Sequence, residues 1–247
     1  MTNAVRFLGP PHIGALVLTV CIPIVLVWVV RKAHSPKMER TIRYGLAAVL
    51  LTNEIAHWGY RLLTVPEFGE ILRKYLSIHI CGVTVFAVTF ALFFRHQILY
   101  EIAYFWGLVG ALNAVLTPQI EFDYPHYRFF QYFIAHSGIV IGIVFATLGL
   151  GMRPSFRAIF RAFLILNVYA ALIALVNLLL GSNYMFLCEP PDTASPFFFA
   201  PWPWYILILE AVTLLFFFVV YTPFFVTARF KFRRQGVEDV GENRIGA

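Results

Sequence analysis

Long apolar runs constrain this chain more than any other feature of its sequence. A helix of about 20 apolar residues crosses the hydrocarbon core of a bilayer and pairs its own backbone there. Seven runs of this kind cover residues 13–30, 42–62, 77–94, 98–117, 129–150, 158–180 and 204–227. The sequence therefore predicts an all-α polytopic membrane protein, a bundle of seven transmembrane helices. We expect one membrane domain over residues 1–228 and a polar cytoplasmic tail over 229–247.

The charged residues agree with a membrane protein and indicate its orientation. Only 13% of the 247 residues are charged, against about 25% in soluble domains. Fourteen of the 19 Lys and Arg residues fall in the tail or in loops on one predicted side, and the positive-inside rule places that side in the cytoplasm. The N-terminus is then outside and the C-terminus inside. The net charge of +6 follows this loop pattern, so we expect membrane lipids and no nucleic acid as partners.

The segment from Leu76 to Phe94 begins LSIHICGVTVF and holds a candidate nucleophile, Cys81. His79 precedes it by two residues, so about 200° of helix rotation separates the two side chains, and they face one pocket only if His79, near the helix end, bends round. Two structural alternatives stay open for Cys81. It is either an inert buried thiol or half of a disulfide with Cys188 in an outer loop.

The outer half of the second predicted helix reads TNEIAHWGYRL and is rich in polar groups. A charged group in a membrane costs at least about 2.5 kcal/mol, so these side chains should face the bundle and pair. Glu54, His57 and Arg61 form either a polar clasp within the helix or part of the wall of a site.

Further polar residues lie in the later predicted helices. His136 is about 12 Å deeper than Arg128 along the fifth helix, and a functional role is the default for so deep a histidine. Asn113 shares a helical stripe with Trp106, Gly110 and Thr117, as residues three and four apart do. Its amide joins two helices or supports the site.

The loop before the fifth helix, EFDYPHYRFFQ, and the loop before the seventh are both predicted on the outer side. Asp123, His126 and Arg128 either bind a phosphate headgroup, which suits the fork of an Arg side chain, or form a solvated loop. The later loop, residues 181–205, is aromatic and free of Lys and Arg, and we expect it to cover the outer mouth of the site. Asn177 precedes that loop.

A Cys–His pair supplies the chemistry of acyl transfer. The histidine removes the thiol proton, and the thiolate forms an acyl-enzyme. A site within the membrane excludes water, which favours transfer over hydrolysis. We expect Cys81 and His136 as the catalytic pair, with no cofactor or metal. Supporting or substrate-binding roles are expected for His57, His79, Asn113, His126, Arg128 and Asn177.

Several long motifs resemble the YwaF-type bacterial seven-helix membrane family. They are HICG (79–82), EIAYFWGLVGALNAVLTP (101–118), PHYRFFQYFIAHSG (125–138), NYMFLCEPP (183–191) and PWPWY (201–205). That family is distantly similar to eukaryotic seven-helix proteins of the androgen-induced-gene type, which include fatty-acid-ester hydrolases and an ether-phospholipid acyltransferase. The resemblance implies a bacterial inner-membrane protein acting on (lyso)phospholipid-like substrates. It also implies that Cys81 and His136 match the acyltransferase pair, whereas the hydrolases have a threonine in place of the cysteine.

Two other functions remain compatible with the residues. One is a zinc-dependent membrane hydrolase with His57, His79 and His136 around an open metal position. The other is a carrier or receptor whose polar outer cavity binds a small molecule without chemistry. The carrier would not depend on Cys81 for turnover, whereas the acyltransferase or lipid-ester hydrolase would.

Overall fold

The computed structural model describes residues 5–120, 122–191 and 199–245, with side chains described as far as residue 227. This part of the chain is helical and contains no β-strand. Its α-helices are α1 (Pro10–Ala33), α2 (Pro36–Thr64), α3 (Phe68–Lys74), α4 (Ile80–Phe94), α5 (Gln97–Trp106), α6 (Leu112–Leu116), α7 (Tyr127–Val144), α8 (Phe156–Leu180) and α9 (Trp204–Ile245). Helix α9 continues through most of the residues predicted as a tail.

Five helical stretches in the described residues are long and apolar enough to cross a membrane. They are Pro10–Ala33, Gln97–Leu116, Tyr127–Gly149, Phe156–Leu180 and Trp204–Thr227. Helix α4 is apolar but has only 15 residues, and α2 has 29 residues with a polar outer half. The chain is thus an all-helical, multi-pass membrane protein. A count of seven spans and the orientation of the termini stay predictions.

Two π-helical turns interrupt the regular helices. Gly107–Ala111 joins α5 to α6, and Phe145–Gly149 ends α7. A π turn inserts one residue, which rotates the following side chains by about 100°. The predicted stripe through Trp106, Gly110 and Asn113 is therefore wrong. Asn113 is exposed, whereas the indole N–H of Trp106 donates to Ala162 O at 3.1 Å.

Glycines let α7 approach its neighbours closely. A Cβ atom on Gly138 would lie 2.7 Å from a methyl carbon of Leu50 in α2, and one on Gly142 would lie 2.5 Å from a methyl carbon of Val88 in α4. Real Cβ atoms do not approach other atoms so closely, so a side chain at Gly138 or Gly142 would displace the Leu50 or Val88 side chain. Close packing of α2, α4 and α7 brings together the helices that carry the polar candidate residues.

Polar side chains inside the bundle donate to carbonyl groups of other helices. Four such bonds join His12 Nε2 to Val115 O, Asn53 Nδ2 to Gln131 O, Tyr104 Oη to Val220 O and Trp106 Nε1 to Ala162 O. A carbonyl oxygen has two lone pairs, so it accepts such a bond in addition to its helical one. These bonds fix neighbouring helices against each other where water cannot serve as partner.

The end of the bundle that carries Arg31, Lys32, Arg95 and Arg153 is called the basic end here. Its main buried ion pair is Arg161–Glu101, and Glu101 is only 2% exposed. Glu101 Oε1 also accepts from Gln97 Nε2 at 3.0 Å and from the Ser155 backbone N–H at 3.1 Å. One carboxylate thus connects α5 to the start of α8.

Replacing Glu101 by Ala should destabilise the protein. The change leaves the Ser155 N–H and Arg161 without this acceptor. Loss of one partner of a buried ion pair lowers the free energy of unfolding by about 3 kcal/mol or more. We expect the low end of that range, because Arg161 is partly exposed. The free energy of unfolding in detergent measures the effect. Glu70→Ala is the control, since Glu70 pairs with Lys74 on exposed α3 at 3.1 Å and should change stability by less than about 1 kcal/mol. Equal losses would contradict the role of Glu101.

Candidate functional site

A cavity of about 510 Å³ lies between α2, α4 and α7, at the end of the bundle opposite the basic end. The segment between α3 and α4 and the side chain of Phe186 also contribute to its wall. Among the polar residues on the wall are Glu54, His57, Arg61, Lys74, Ser77, His79, Cys81, Gln119, Arg128, Gln131, Tyr132 and His136. The bundle therefore brings together Cys81 and His136, which the sequence predicts as a catalytic pair.

Cys81 is the second residue of α4, because the helix begins at Ile80. The backbone N–H groups of a first helical turn have no partner within the helix, and no side chain caps this one. The positive end of the helix dipole stabilises negative charge at such a position. Cys81, Cys21 and Cys188 are all free thiols, so the disulfide alternative for Cys81 and Cys188 is wrong.

The predicted angular separation of His79 and Cys81 does not apply, because His79 lies just before α4 as its N-cap. Both side chains line the cavity. Burial lowers the pKa of His79 below its ordinary value, so the ring is neutral at pH 7. In agreement, its Nδ1 atom accepts a hydrogen bond from the Met185 N–H at 3.3 Å.

His136 is held in one tautomer by the main chain. Its Nδ1 atom lies 2.8 Å from the carbonyl oxygen of Tyr132, one turn earlier. A carbonyl oxygen only accepts, so the ring proton of neutral His136 is on Nδ1 and the lone pair is on Nε2. No hydrogen bond joins the side chains of Cys81 and His136 in the described part of the chain, and catalytic hydrogen bonds are often long without substrate.

The polar residues of α2 contact other elements of the cavity wall, and the clasp within the helix stays a prediction. Glu54 accepts from the hydroxyl of Ser77. His57 Nδ1 accepts from Arg128 Nη1 at 2.7 Å, since arginine only donates. Arg61 lies over the ring of Tyr75, 3.9 Å from its centroid, as in a cation–π contact. Each bond connects α2 to another part of the cavity wall.

Three predicted site residues lie away from the cavity wall. Asn113 is exposed because of the π turn described above. His126 precedes α7, where its Nδ1 accepts from the Arg128 N–H at 3.1 Å and its ring stacks on Phe122. Asn177 is buried and hydrogen-bonds to the chain at Ser182 and Tyr184.

Asn177 nevertheless acts on the cavity through the loop that it holds. Met185 and Phe186 follow Tyr184 with φ of 58° and 54°, in the left-handed region, which costs a non-glycine residue roughly 1–2 kcal/mol. The phenol of Tyr205 donates to Phe186 O at 2.5 Å. These bonds place the Phe186 side chain on the cavity wall beside the His79 ring, at 5.9 Å between centroids. Part of loop 181–205 therefore lines the site through Phe186, its role as a cover stays a prediction, and residues 192–198 lie outside the described residues.

The charges on the wall are mostly positive. Among the residues that the structure describes, Arg61, Arg128 and Lys74 line the cavity with one carboxylate, Glu54. Lys74 also pairs with Glu70, and Arg128 Nη1 donates to Gln131 as well as to His57. A positively charged, partly desolvated wall suits a ligand with an anionic group.

The histidines of the cavity do not form a metal site. In the residues that the structure describes, no three His, Cys, Asp or Glu side chains lie close enough together to hold a metal ion. His57 accepts from Arg128 and His79 accepts from Met185 through their Nδ1 atoms, and Nδ1 of His136 donates to Tyr132. The geometry gives no support to zinc coordination by these three histidines.

The family of the chain follows from its sequence over most of its length. The model of the TMEM164 family matches residues 7–221, a range that includes the whole cavity wall. The chain belongs to the TMEM164 family. No curated protein and no solved structure matches it. Membership of the TMEM164 family agrees with the multi-pass helical fold, and the resemblance to YwaF-type proteins stays a prediction.

Several residues of this TMEM164-family cavity were not singled out as site residues from the sequence. Tyr132 and His136 share a face by their spacing, so Tyr132 was within reach of sequence reasoning. Phe186 was not, because its position depends on two left-handed residues, Met185 and Phe186, neither of which is a glycine or an asparagine. Gly110 lies next to the nucleophile candidate, since a Cβ atom there would be in ordinary contact with the Cys81 sulfur, at 3.5 Å.

Gly82 next to Cys81 should not tolerate a side chain. A Cβ atom there would meet the Ser77 carbonyl group, 2.7 Å from its carbon, and a backbone group cannot turn aside. We expect Gly82→Ala to destabilise this TMEM164-family protein by about 1–3 kcal/mol. Gly59→Ala in α2 is the matched control, because it meets no atom within 4 Å and should stabilise the helix by about 0.5–1 kcal/mol. Thermal unfolding in detergent should give shifts of opposite sign, and a shared sign would refute the close approach.

Proposed function

We propose that this protein is a membrane-embedded lipid acyltransferase or lipid-ester hydrolase that acts through Cys81 and His136. The proposal rests above all on one observation. A thiol in the first turn of α4 and a histidine with its proton fixed on Nδ1 line the same cavity. The resemblance of HICG and PHYRFFQYFIAHSG to the acyltransferase motifs supports the same two residues.

In the first step, His136 Nε2 takes the proton from Cys81, and the thiolate sulfur attacks the ester carbonyl of a lipid. A carbon–sulfur bond forms, and the carbonyl oxygen becomes an oxyanion. Backbone N–H groups at the start of α4 can stabilise that charge. The carbon–oxygen bond of the ester then breaks, and the leaving alkoxide takes the proton back from His136. The products are a lysolipid and a Cys81 thioester.

In the second step, an acceptor hydroxyl attacks the thioester while His136 Nε2 takes its proton. The carbon–sulfur bond breaks, and Cys81 recovers its proton from His136. If the acceptor is a lysolipid, the reaction is acyl transfer, and if it is water, the reaction is hydrolysis. Phe186 contributes an apolar side chain to the cavity wall, and exclusion of water from the site would favour transfer.

The positive wall supports a phospholipid-like substrate. Arg61, Arg128 and Lys74 line the same cavity as the reactive pair, and arginine suits bidentate binding of a phosphate. The predicted anion site therefore consists of Arg128 with residues of α2 and α3. Asp123 and His126, which were considered with Arg128 from the sequence, do not line it. The Asp123 carboxylate accepts from the Tyr124 N–H at 2.7 Å.

Lipid profiles of membranes with equal amounts of each variant test the Cys–His mechanism. Wild type should shift the acyl-chain distribution of one lipid class. Cys81→Ala should abolish the shift, and His136→Ala should slow it by about 10²–10⁴-fold through loss of the general base. Cys21→Ala is the matched control, because Cys21 is an exposed thiol on α1 and should behave as wild type. A thioester-linked acyl group, released by hydroxylamine, should be found on wild type and on Cys21→Ala and should be absent from Cys81→Ala.

The same experiment separates the proposal from a carrier. Identical lipid profiles for wild type, Cys81→Ala and His136→Ala would contradict the catalytic proposal. A carrier would show a bound ligand in all three proteins, and its transport would not depend on Cys81.

Arg128→Gln should change substrate preference. Loss of the cation should weaken binding of a phospholipid more than binding of a diacylglycerol, by about fivefold to a hundredfold for one charge-assisted bond. The ratio of kcat/KM for the two lipids measures this and cancels any loss of folded enzyme. Arg73→Gln is the control, since Arg73 lies on α3 away from the cavity wall. An unchanged ratio in Arg128→Gln would contradict headgroup binding by Arg128.

A further inference from the structure

A second groove lies at the basic end, between α1 and the last turns of α7. It has a volume of about 470 Å³ and is lined by Pro23, Ile24, Val27, Trp28, Arg31, Lys32, Val144 and Leu148. None of these residues lines the cavity of Cys81 and His136. We call it the basic-end groove. Its wall is apolar, and its two charged lining residues, both cations, follow one another at the end of α1.

The apolar wall of the basic-end groove is open to the surroundings of the bundle. Ile24 is 61% exposed, Trp28 59% and Leu148 51%, so in a bilayer these side chains contact lipid. From Pro23 to Arg31 the helix rises about 12 Å, which is close to the depth of one leaflet of hydrocarbon, about 15 Å. The groove is therefore long enough to hold most of one acyl chain, measured from the headgroup toward the middle of the bilayer.

The two cations have no acidic partner in the described part of the chain. Arg31 Nη2 donates to the carbonyl oxygen of Leu148 at 3.0 Å, which leaves its other N–H groups able to donate. Lys32 Nζ lies 4.8 Å from the centre of the Trp28 ring. Glu39, a carboxylate at the same end, is already shared by Arg43 and Arg95.

We propose that the basic-end groove binds one anionic phospholipid of the leaflet at the basic end. Its phosphate lies between Arg31 and Lys32, and one acyl chain lies along Ile24, Val144 and Leu148. Charge complementarity identifies the occupant, because a basic pocket between transmembrane helices suits an anionic headgroup. A zwitterionic lipid gains less there, since its own cation opposes the two side chains. Trp28 lies beside both the chain and the headgroup and reports on the bound lipid.

Quenching of Trp28 fluorescence by brominated lipids tests this proposal. The full-length protein is reconstituted in phosphatidylcholine vesicles that contain brominated phosphatidylglycerol or brominated phosphatidylcholine. The Trp28 signal is the difference between wild type and Trp28→Phe. We expect brominated phosphatidylglycerol to quench it with at least about fivefold higher affinity, because each cation near the surface contributes about a fivefold preference. Raising the salt concentration should reduce that preference.

Two variants separate the groove from general attraction to the membrane surface. Arg31→Gln and Lys32→Gln should each lower the preference about fivefold. Arg31→Gln also removes the hydrogen bond to Leu148, whereas Lys32→Gln leaves it in place. A lower preference in Lys32→Gln is therefore due to the lost charge and not to a changed contact between α1 and Leu148. Arg73→Gln on exposed α3 removes the same charge elsewhere and should leave the preference unchanged.

Three outcomes would overturn the proposal. Equal quenching by the two brominated lipids would mean ordinary lipid contact, and an unchanged preference in Lys32→Gln would remove the headgroup site. Displacement of the brominated lipid by soluble glycerol phosphate would identify a phosphate site in place of a lipid site. None of these outcomes depends on whether Cys81 is catalytic.

Discussion

A polar side chain inside a membrane bundle must find its partner within the protein, and this requirement shapes the whole structure. Water is absent from hydrocarbon, and an unpaired polar group there costs several kcal/mol. The protein meets the requirement mainly with main-chain carbonyl groups, as the bonds from His12, Asn53, Tyr104 and Trp106 illustrate. These acceptors exist at every residue of every helix, so a single donor on one helix is enough to fix its neighbour.

The candidate site follows the same requirement with charged groups. Glu54 accepts from Ser77, Arg128 donates to His57 and Gln131, and Arg61 lies on the ring of Tyr75. The contacts of Glu54 and Arg61 join α2 to the segment between α3 and α4, and the Arg128–His57 bond joins α7 to α2, so the wall of the cavity also holds its end of the bundle together. The Arg128–Gln131 bond lies within α7. The cavity wall has more cationic than anionic side chains among the described residues, so positive charge remains available to a ligand.

The sequence predicted the helices well because apolar length is a strong signal. It also predicted five site residues that the structure places on the wall of one cavity: Cys81, His136, His57, His79 and Arg128. It failed where one residue changes the geometry. The π turn at Gly107–Ala111 rotates Asn113 away, and no residue type in GLVGA demands such a turn. The start of α4 at Ile80 was likewise not signalled, so the sequence left open whether His79 and Cys81 face the same pocket. The left-handed pair Met185 and Phe186 depends on distant partners.

The hydrogen bond between His136 and the Tyr132 carbonyl has a consequence for genetics. In many hydrolases, a carboxylate or amide side chain orients the catalytic histidine, and a substitution can delete it. Here the orienting oxygen belongs to the main chain, which every amino acid carries. Under the mechanism proposed above, a scan of point mutations would thus identify Cys81 and His136 and find no third side chain. Residue 132 is free to vary during evolution without loss of that oxygen, so comparison of sequences would not reveal it either.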